Sequence, residues 1–340
     1  MERATLALCD WESRFVRNFL DHYTVKGRDV FDIKVFTDEE RCLSYAREHR
    51  IDVLLISDSL LSEEMESLGI EKIIILSEGS VSRKFSDYPV IYKYQSSERI
   101  ITQVLDIYAD CVREDMGTYC TGRGLRIIGV YSPVRRVGKT SLALSLGQLL
   151  AKDKKVLYLN MEEYSGLNGI LEGNYKGDLL DAIFYQRQKS GNMRYKISGM
   201  TCRLNGMEYI YPALYSEDLK SVTASEWLEF ISTIEEQTDY SVLILDMGDT
   251  VEGLSAIMEK CSVIYMPERH DFFSQGKIMQ FEEYMRNTQK DWVLDKVIKV
   301  EVPEIMGAGN AQDYLNALGN GSFAGSIRGL CVEEYCNAYV

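Results

Sequence analysis

Residues 127–150 read IIGVYSPVRRVGKTSLALSLGQLL. An apolar run leads into a loop, the loop ends in Gly138-Lys139-Thr140, and an apolar helical pattern follows. A helix N-terminus presents unpaired backbone N–H groups and the positive end of its dipole, so this strand–loop–helix unit is an anion site. In such a loop Lys139 reaches the β- and γ-phosphates of a nucleotide, and the Thr140 hydroxyl ligates Mg²⁺. The strict pattern wants a glycine five residues before Gly138, and that position is Pro133. Arg135 and Arg136 also stand where such loops carry glycine. The reading is a P-loop that has lost its upstream glycines and kept its binding end.

Two downstream strands support this. In SVLILDMGD (241–249) an apolar strand ends at Asp246, at the sheet edge where open α/β folds bind ligands. A carboxylate there holds Mg²⁺; the plain alternative is a cap at a strand end. In VLYLNMEEYSGL (156–167) a strand ends at Asn160 and Glu162 lies two residues on. Glu162 is placed to orient an attacking water, with a solvated loop acid as its plain alternative. Further strands are expected near 125–131, 155–160, 207–211, 241–246, 261–266 and 297–301. Helices fall between them, one capped by Thr223-x-x-Glu226. The result is a mainly parallel sheet with helices on both faces.

The preceding third of the chain alternates in the same way. Strands are expected at 4–9, 31–36, 51–57, 72–77 and 89–94, with helices at 11–22, from a Thr37-x-x-Glu40 capping box to about Arg47, and at 96–111. The fold class is α/β, with two doubly wound three-layer domains, at 1–112 and 125–340. Residues 113–124, rich in glycine and without a period, read as the linker.

The 340 residues carry 38 Lys+Arg against 52 Asp+Glu, a net charge of −14. Residues 1–120 hold 15 against 23 and the remainder 23 against 29, so neither part has the basic field of a general DNA binder. The eight cysteines form no CxxC and no zinc spacing. They read as reduced, mostly buried thiols of a cytoplasmic protein. No signal-peptide pattern opens the chain, and no apolar run approaches the roughly 20 residues that span a bilayer. The tail SIRGLCVEEYCNAYV has one Arg and two Glu, so anionic lipid would not attract it and direct membrane insertion is not expected.

The stretches IIGVYSPVRRVGKTSLALSLG, KVLYLNMEE, DYSVLILDMGD and VIYMPERHDFFSQGKI stand in the order and spacing of the MinD/ParA family of deviant P-loop ATPases, which residues 124–330 resemble. The resemblance implies an ATP and Mg²⁺ site. Its loop is Val134, Arg135, Arg136, Val137, Gly138, Lys139, Thr140 and Ser141, its catalytic set is Lys139, Glu162 and Asp246, and its metal ligands are Thr140 and Asp246. Pro267 and Glu268 fall near the adenine. The family's signature lysine, which reaches a partner's phosphates across an ATP-sandwich homodimer, falls on Val134, and its acidic pair falls on Asn160 and Glu162. Weak or absent hydrolysis is then expected, unless Arg135 or Arg136 replaces the lysine. The first domain resembles a response-regulator receiver with Ser57 at the phospho-acceptor position, Cys9 and Asp10 at the acidic pair, Ser77 at the switch hydroxyl and Lys93 at the lysine: a pseudo-receiver used for docking or dimerisation. The two together are similar to the TadZ/CpaE family. That likeness implies a localisation factor for tight-adherence (Flp, type IVb) pilus assembly, recruited to a cell pole or the inner membrane face by pilus-assembly proteins docking on the N-terminal domain. The alternatives are a DNA-partition ATPase, against which the acidic charge and Val134 argue, and a bacterial tyrosine-kinase-like enzyme, for which the tail offers only Tyr335 and Tyr339.

Overall fold

The computed structural model describes residues 3–25, 30–79, 85–112, 124–171, 175–189, 191–305 and 309–337, with the side chains of 25 and 330–337 outside the description. The expected linker therefore lies outside the described residues apart from Gly124, as do the side chains of the tail beyond Gly329. The chain forms two compact units, Met1–Thr118 with Lys189–Gly199, and Tyr119–Gln188 with Met200–Val340.

The first unit runs β1 (Ala4–Cys9), α1 (Ser13–Val25), β2 (Phe31–Phe36), α2 (Glu39–Glu48), β3 (Val53–Ser57), α3 (Glu63–Glu66), β4 (Lys72–Ser77), β5 (Val90–Tyr92) and α4 (Ser97–Ala109). Its strands are parallel in the order β2-β1-β3-β4-β5. The period of two divides each apolar strand between two cores. Leu6, Leu8, Val53, Leu55, Ile74 and Leu76 join α1 and α4 on one face; Ala7, Cys9, Leu54, Ile56, Ile73 and Ile75 join α2 and α3 on the other. This is why 51–57 and 72–77 read as continuous apolar runs. The α2 cap differs from the expectation. Asp38, not Thr37, is the N-cap, and its carboxylate accepts from the Arg41 N–H at 2.9 Å. The two candidates are adjacent, and the acid also suits the positive helix end.

A segment distant in sequence completes this unit. α6 (Leu179–Gln188) of the second unit leads into α7 (Met193–Met200), most of which belongs to the first. Tyr195 stacks on Phe31 at 6.0 Å between centroids and meets Tyr108 edge-on at 4.9 Å. Lys196 Nζ lies 2.6 Å from Asp106 and 2.9 Å from Asp110.

The second unit continues through β6 (Arg126–Val130), α5 (Lys139–Leu150), β7 (Val156–Met161), β8 (Cys202–Leu204), β9 (Met207–Tyr209), α8 (Ser216–Lys220), α9 (Ala224–Gln237), β10 (Val242–Met247), α10 (Leu254–Lys260), β11 (Val263–Pro267), α11 (Phe272–Asn287), β12 (Val297–Val300), α12 (Ala311–Gly319) and α13 (Gly321–Asn337). The strand order is β12-β11-β6-β10-β7-β9-β8, parallel except for β8 against β9. That hairpin turns on Asn205 and Gly206, both with positive φ (48° and 91°), as a two-residue type I′ turn requires. The capping box at Thr223 and Glu226 forms as expected. Among the described residues no helix is long and apolar enough to cross a membrane, and Cys9, Cys42, Cys202 and Cys261 are buried.

Candidate functional site

Register builds the site. In the parallel sheet Asp246 of β10 stands level with Val130 of β6 on one side and Asn160 of β7 on the other. The P-loop leaves β6 just beyond Val130, so the loop, Asp246 and the segment after β7 meet at one sheet edge. Lys139, Thr140, Ser141, Arg135, Arg136 and Glu162 line a cavity of about 890 Å³ there. A second cavity of about 500 Å³ shares Arg136, Gly138, Ser141, Arg269 and Tyr314 with the first and is lined further by Val137, Glu268 and His270.

The loop itself explains which residues are on display. Gly138 caps α5 in the left-handed region at φ 85°, and a Cβ there would meet Val302 at 2.7 Å. Only glycine fits on both counts. Arg136 is also left-handed, at φ 58°, where a non-glycine residue carries strain of about 1 kcal/mol. Val134 lines neither cavity; its side chain is buried and its N–H donates to Ser132 Oγ at 3.1 Å. Pro267 ends β11 and lines neither cavity, whereas Glu268 lines the second. Arg135 is exposed, with Nε 3.5 Å from Asp249 Oδ2.

Lys139 is buried, 2.5 Å from Glu162 Oε1, and donates to the Met247 carbonyl at 3.2 Å. Asp246 is fully buried. Its Oδ2 accepts from Asn160 Nδ2 at 2.8 Å and from the Tyr158 hydroxyl at 2.9 Å, while Oδ1 has no hydrogen-bond partner among the described residues. Asn160 Oδ1 accepts from the Glu162 N–H at 3.1 Å, so one amide ties the Asp246 carboxylate to the Glu162 backbone. Tyr158 and Tyr314 were not foreseen. Tyr158 sits mid-strand like any core aromatic, and its hydroxyl, pushed well above its ordinary pKa by burial, stays a donor. Tyr314 reaches Ser141 Oγ at 2.6 Å from 173 residues away.

A Mg²⁺–nucleotide group fits these residues. A buried carboxylate oxygen without a partner, the Thr140 hydroxyl beside it, a lysine and a helix N-terminus form a donor set for a metal bound to phosphate. Burial pushes the Asp246 carboxyl up to about 6; the nearby Glu162 charge adds to the rise, while Thr140, Lys139 and Tyr158 oppose it. The folded chain thus holds a proton there that the unfolded chain releases near pH 4, so stability falls as pH rises between about 4 and 6. Measured without ligand, Asp246→Asn is expected to stabilise the protein at pH 7 by about 1–3 kcal/mol and to flatten this dependence in denaturant titrations. It should also remove Mg²⁺-dependent ligand binding, which in the wild type weakens as pH falls through about 6. A destabilised variant contradicts this account of the carboxylate.

The first unit holds a second polar cluster. Lys93, fully buried, lies 3.0 Å from Asp10 Oδ1, 3.0 Å from Glu78 Oε1 and 3.2 Å from Glu12 Oε2. Burial alone would lower its pKa, yet hydrogen bonds to Asp10, Glu78 and Glu12 outweigh it and raise it. Its ammonium stands over the rings of Trp11 and Phe15 at 5.1 and 5.2 Å. Ser57 bonds Ser59 at 3.2 Å, and Ser77 Oγ accepts from the Gly79 N–H. Glu12 and Glu78 were not foreseen; each lies in the short loop after a strand end, one two residues past Asp10 and the other next to Ser77.

Comparison with known proteins agrees with the first unit's geometry. Residues 2–109 match the family of TadZ-like receiver domains. No curated protein matches the chain. Among solved structures, a protein of Borrelia burgdorferi B31 named for plasmid partition and bound to AMPPNP is 13% identical, with a TM-score of 0.47 over 63% of this chain and 99% of its own. A ParA family ATPase of Chlorobium tepidum is 15% identical, with 0.44 over 61% and 92%. The ATP complex of Cyanothece McdA(D38A) is 14% identical, with 0.39 over 62% and 80%. At this level of similarity none of them assigns a ligand to this chain. Residues 2–109 are thus similar to TadZ-like receiver domains, and a doubly wound α/β unit carrying the Gly138-Lys139-Thr140 loop follows them.

Proposed function

We propose that this chain is an ATP-binding localisation and assembly factor for a tight-adherence pilus, acting as an ATP-stabilised homodimer with weak or no hydrolysis. The observation that carries the reading is one cavity uniting Lys139, Thr140 and Glu162, with Asp246 buried behind it beside Thr140 and one of its oxygens without a partner among the described residues, in a chain whose residues 2–109 match TadZ-like receiver domains. Lys139 would hold the β- and γ-phosphates, Thr140 and Asp246 the Mg²⁺, and Glu268 would face the base side. The bound Mg²⁺ would supply charge neutralisation of the phosphates. Residues 125–340, apart from the 189–199 segment that belongs to the first unit, are the nucleotide domain. Residues 1–112 are the docking domain for pilus-assembly proteins, which bring the protein to a pole or the inner membrane face.

Hydrolysis should be slow because the position of the signature lysine is a buried valine. Loss of such a cation removes on the order of 10³-fold from a typical turnover of ~10 s⁻¹, leaving ~0.01 s⁻¹ or less. Of the two loop arginines, Arg136 is the better placed to substitute, being left-handed and bordering both cavities where Arg135 borders one. Sedimentation is expected to show dimers with ATP and Mg²⁺ and monomers without, and Arg136→Ala should weaken the dimer. Monomers under both conditions contradict the reading. Salt-sensitive binding to nonspecific DNA would favour partition instead.

A further inference from the structure

Any ligand that uses Lys139 must first displace a group of the protein itself. Lys139 Nζ is held by Glu162 Oε1 at 2.5 Å and by the Met247 carbonyl at 3.2 Å. Glu162 cannot retreat as a whole. Its N–H is fixed by Asn160 Oδ1. Gly248 lies so close that a Cβ on it would stand 2.7 Å from the Met161 carbonyl and 3.1 Å from Glu162 Cα. The next residue, Glu163, is tied to Lys220 at 2.6 Å. Only the Glu162 side chain is free to swing, and it is a quarter exposed into the cavity.

We infer, resting on the nucleotide reading, that Glu162 is a built-in competitor for Lys139 and sets the phosphate-number specificity of the site. A single carboxylate already neutralises the ammonium. A ligand gains from Lys139 only if it brings more charge and more acceptor oxygens there than Glu162 does. Linked β- and γ-phosphates do. A nucleoside monophosphate, whose one phosphate sits on the nucleoside side of the loop, does not reach the lysine. Di- and triphosphates therefore bear the cost of displacing Glu162, and monophosphates neither bear it nor gain from the lysine. Asn160 keeps the Glu162 backbone in place throughout, so the competitor returns when the phosphates leave.

The test is calorimetric titration of the full chain, wild type and Glu162→Gln, with ATP, ADP and AMP in the presence of Mg²⁺. Glu162→Gln is expected to bind ATP and ADP about tenfold more tightly, with AMP unchanged. Glu162→Asp, which keeps the charge but draws it back by one methylene, should give an intermediate gain for ADP. Unchanged ADP affinity in both variants overturns the inference while leaving the nucleotide reading intact. Equal tightening of AMP also overturns it, because the effect is then only the loss of a negative charge in the cavity. No binding of any nucleotide by either the wild type or Glu162→Gln removes the nucleotide reading, and the inference with it.

Discussion

Lys139→Ala is expected to weaken ATP·Mg²⁺ binding by at least about 100-fold without unfolding the chain. The magnitude comes from two sources. Each charge-assisted hydrogen bond from the ammonium to phosphate is worth roughly 1.5–3 kcal/mol, and the lysine serves two phosphates. Its loss also leaves Glu162 as an uncompensated carboxylate in the cavity, where it repels the ligand. The fold should tolerate the change. Lys139 lies at the N-terminal end of α5, where alanine is a good helix former, and Glu162 is exposed enough to hydrate. Circular dichroism checks the fold and calorimetry the affinity. A variant that binds within a few-fold of wild type would mean that the phosphates do not sit on this loop.

Lys93→Ala should have the largest effect on stability, about 3–5 kcal/mol. The side chain is fully buried and neutralises Asp10, which is also fully buried, besides meeting Glu12 and Glu78. Removing it strands Asp10, whose Oδ2 already lacks a partner among the described residues. Replacing both charges is a different matter. Asp10→Asn with Lys93→Ala leaves neither buried ion of this pair and is expected to regain much of the loss. Hydrogen exchange at β1 and β3 reads the first unit separately from the second. If the single and double variants are equally destabilised, Lys93 acts through its packing against Trp11 and Phe15 and not through charge. The cluster also bears on function. With three carboxylates on the one lysine, this pocket is a structural ion cluster, and under the proposed function the domain serves for docking.

The parts of this molecule that depend on local pattern were legible in the sequence. Buried strands announce themselves as apolar runs, which is how β1, β3, β4, β6 and β10 were placed within a residue or two. Strand ends then placed Asp246 and Asn160, because parallel neighbours in register put their C-terminal ends at one edge. What depends on side-chain geometry was not legible. The Lys139–Glu162 pair, the Tyr158 and Asn160 bonds to Asp246, and the burial of Val134 come from how the loop after β7 folds back on the P-loop. Tyr195 reads as one scattered tyrosine until the chain brings it against Phe31 and Tyr108. The β8–β9 hairpin carries a local signal in Asn205-Gly206, but strands of only three residues each are too short to show an alternation. The Asp38 cap shows the usual resolution of such readings: the helix was right, and its first residue was off by one.

The central claim is that the loop at 132–140 still grips a nucleotide although its upstream glycines and the cross-dimer lysine are gone. Calorimetric titration of the wild-type chain with ATP, with Mg²⁺ and then with EDTA, tests it most directly. Saturable binding near one ATP per chain, lost when Mg²⁺ is withdrawn, is the predicted result. Heats indistinguishable from dilution in the presence of Mg²⁺ would contradict it.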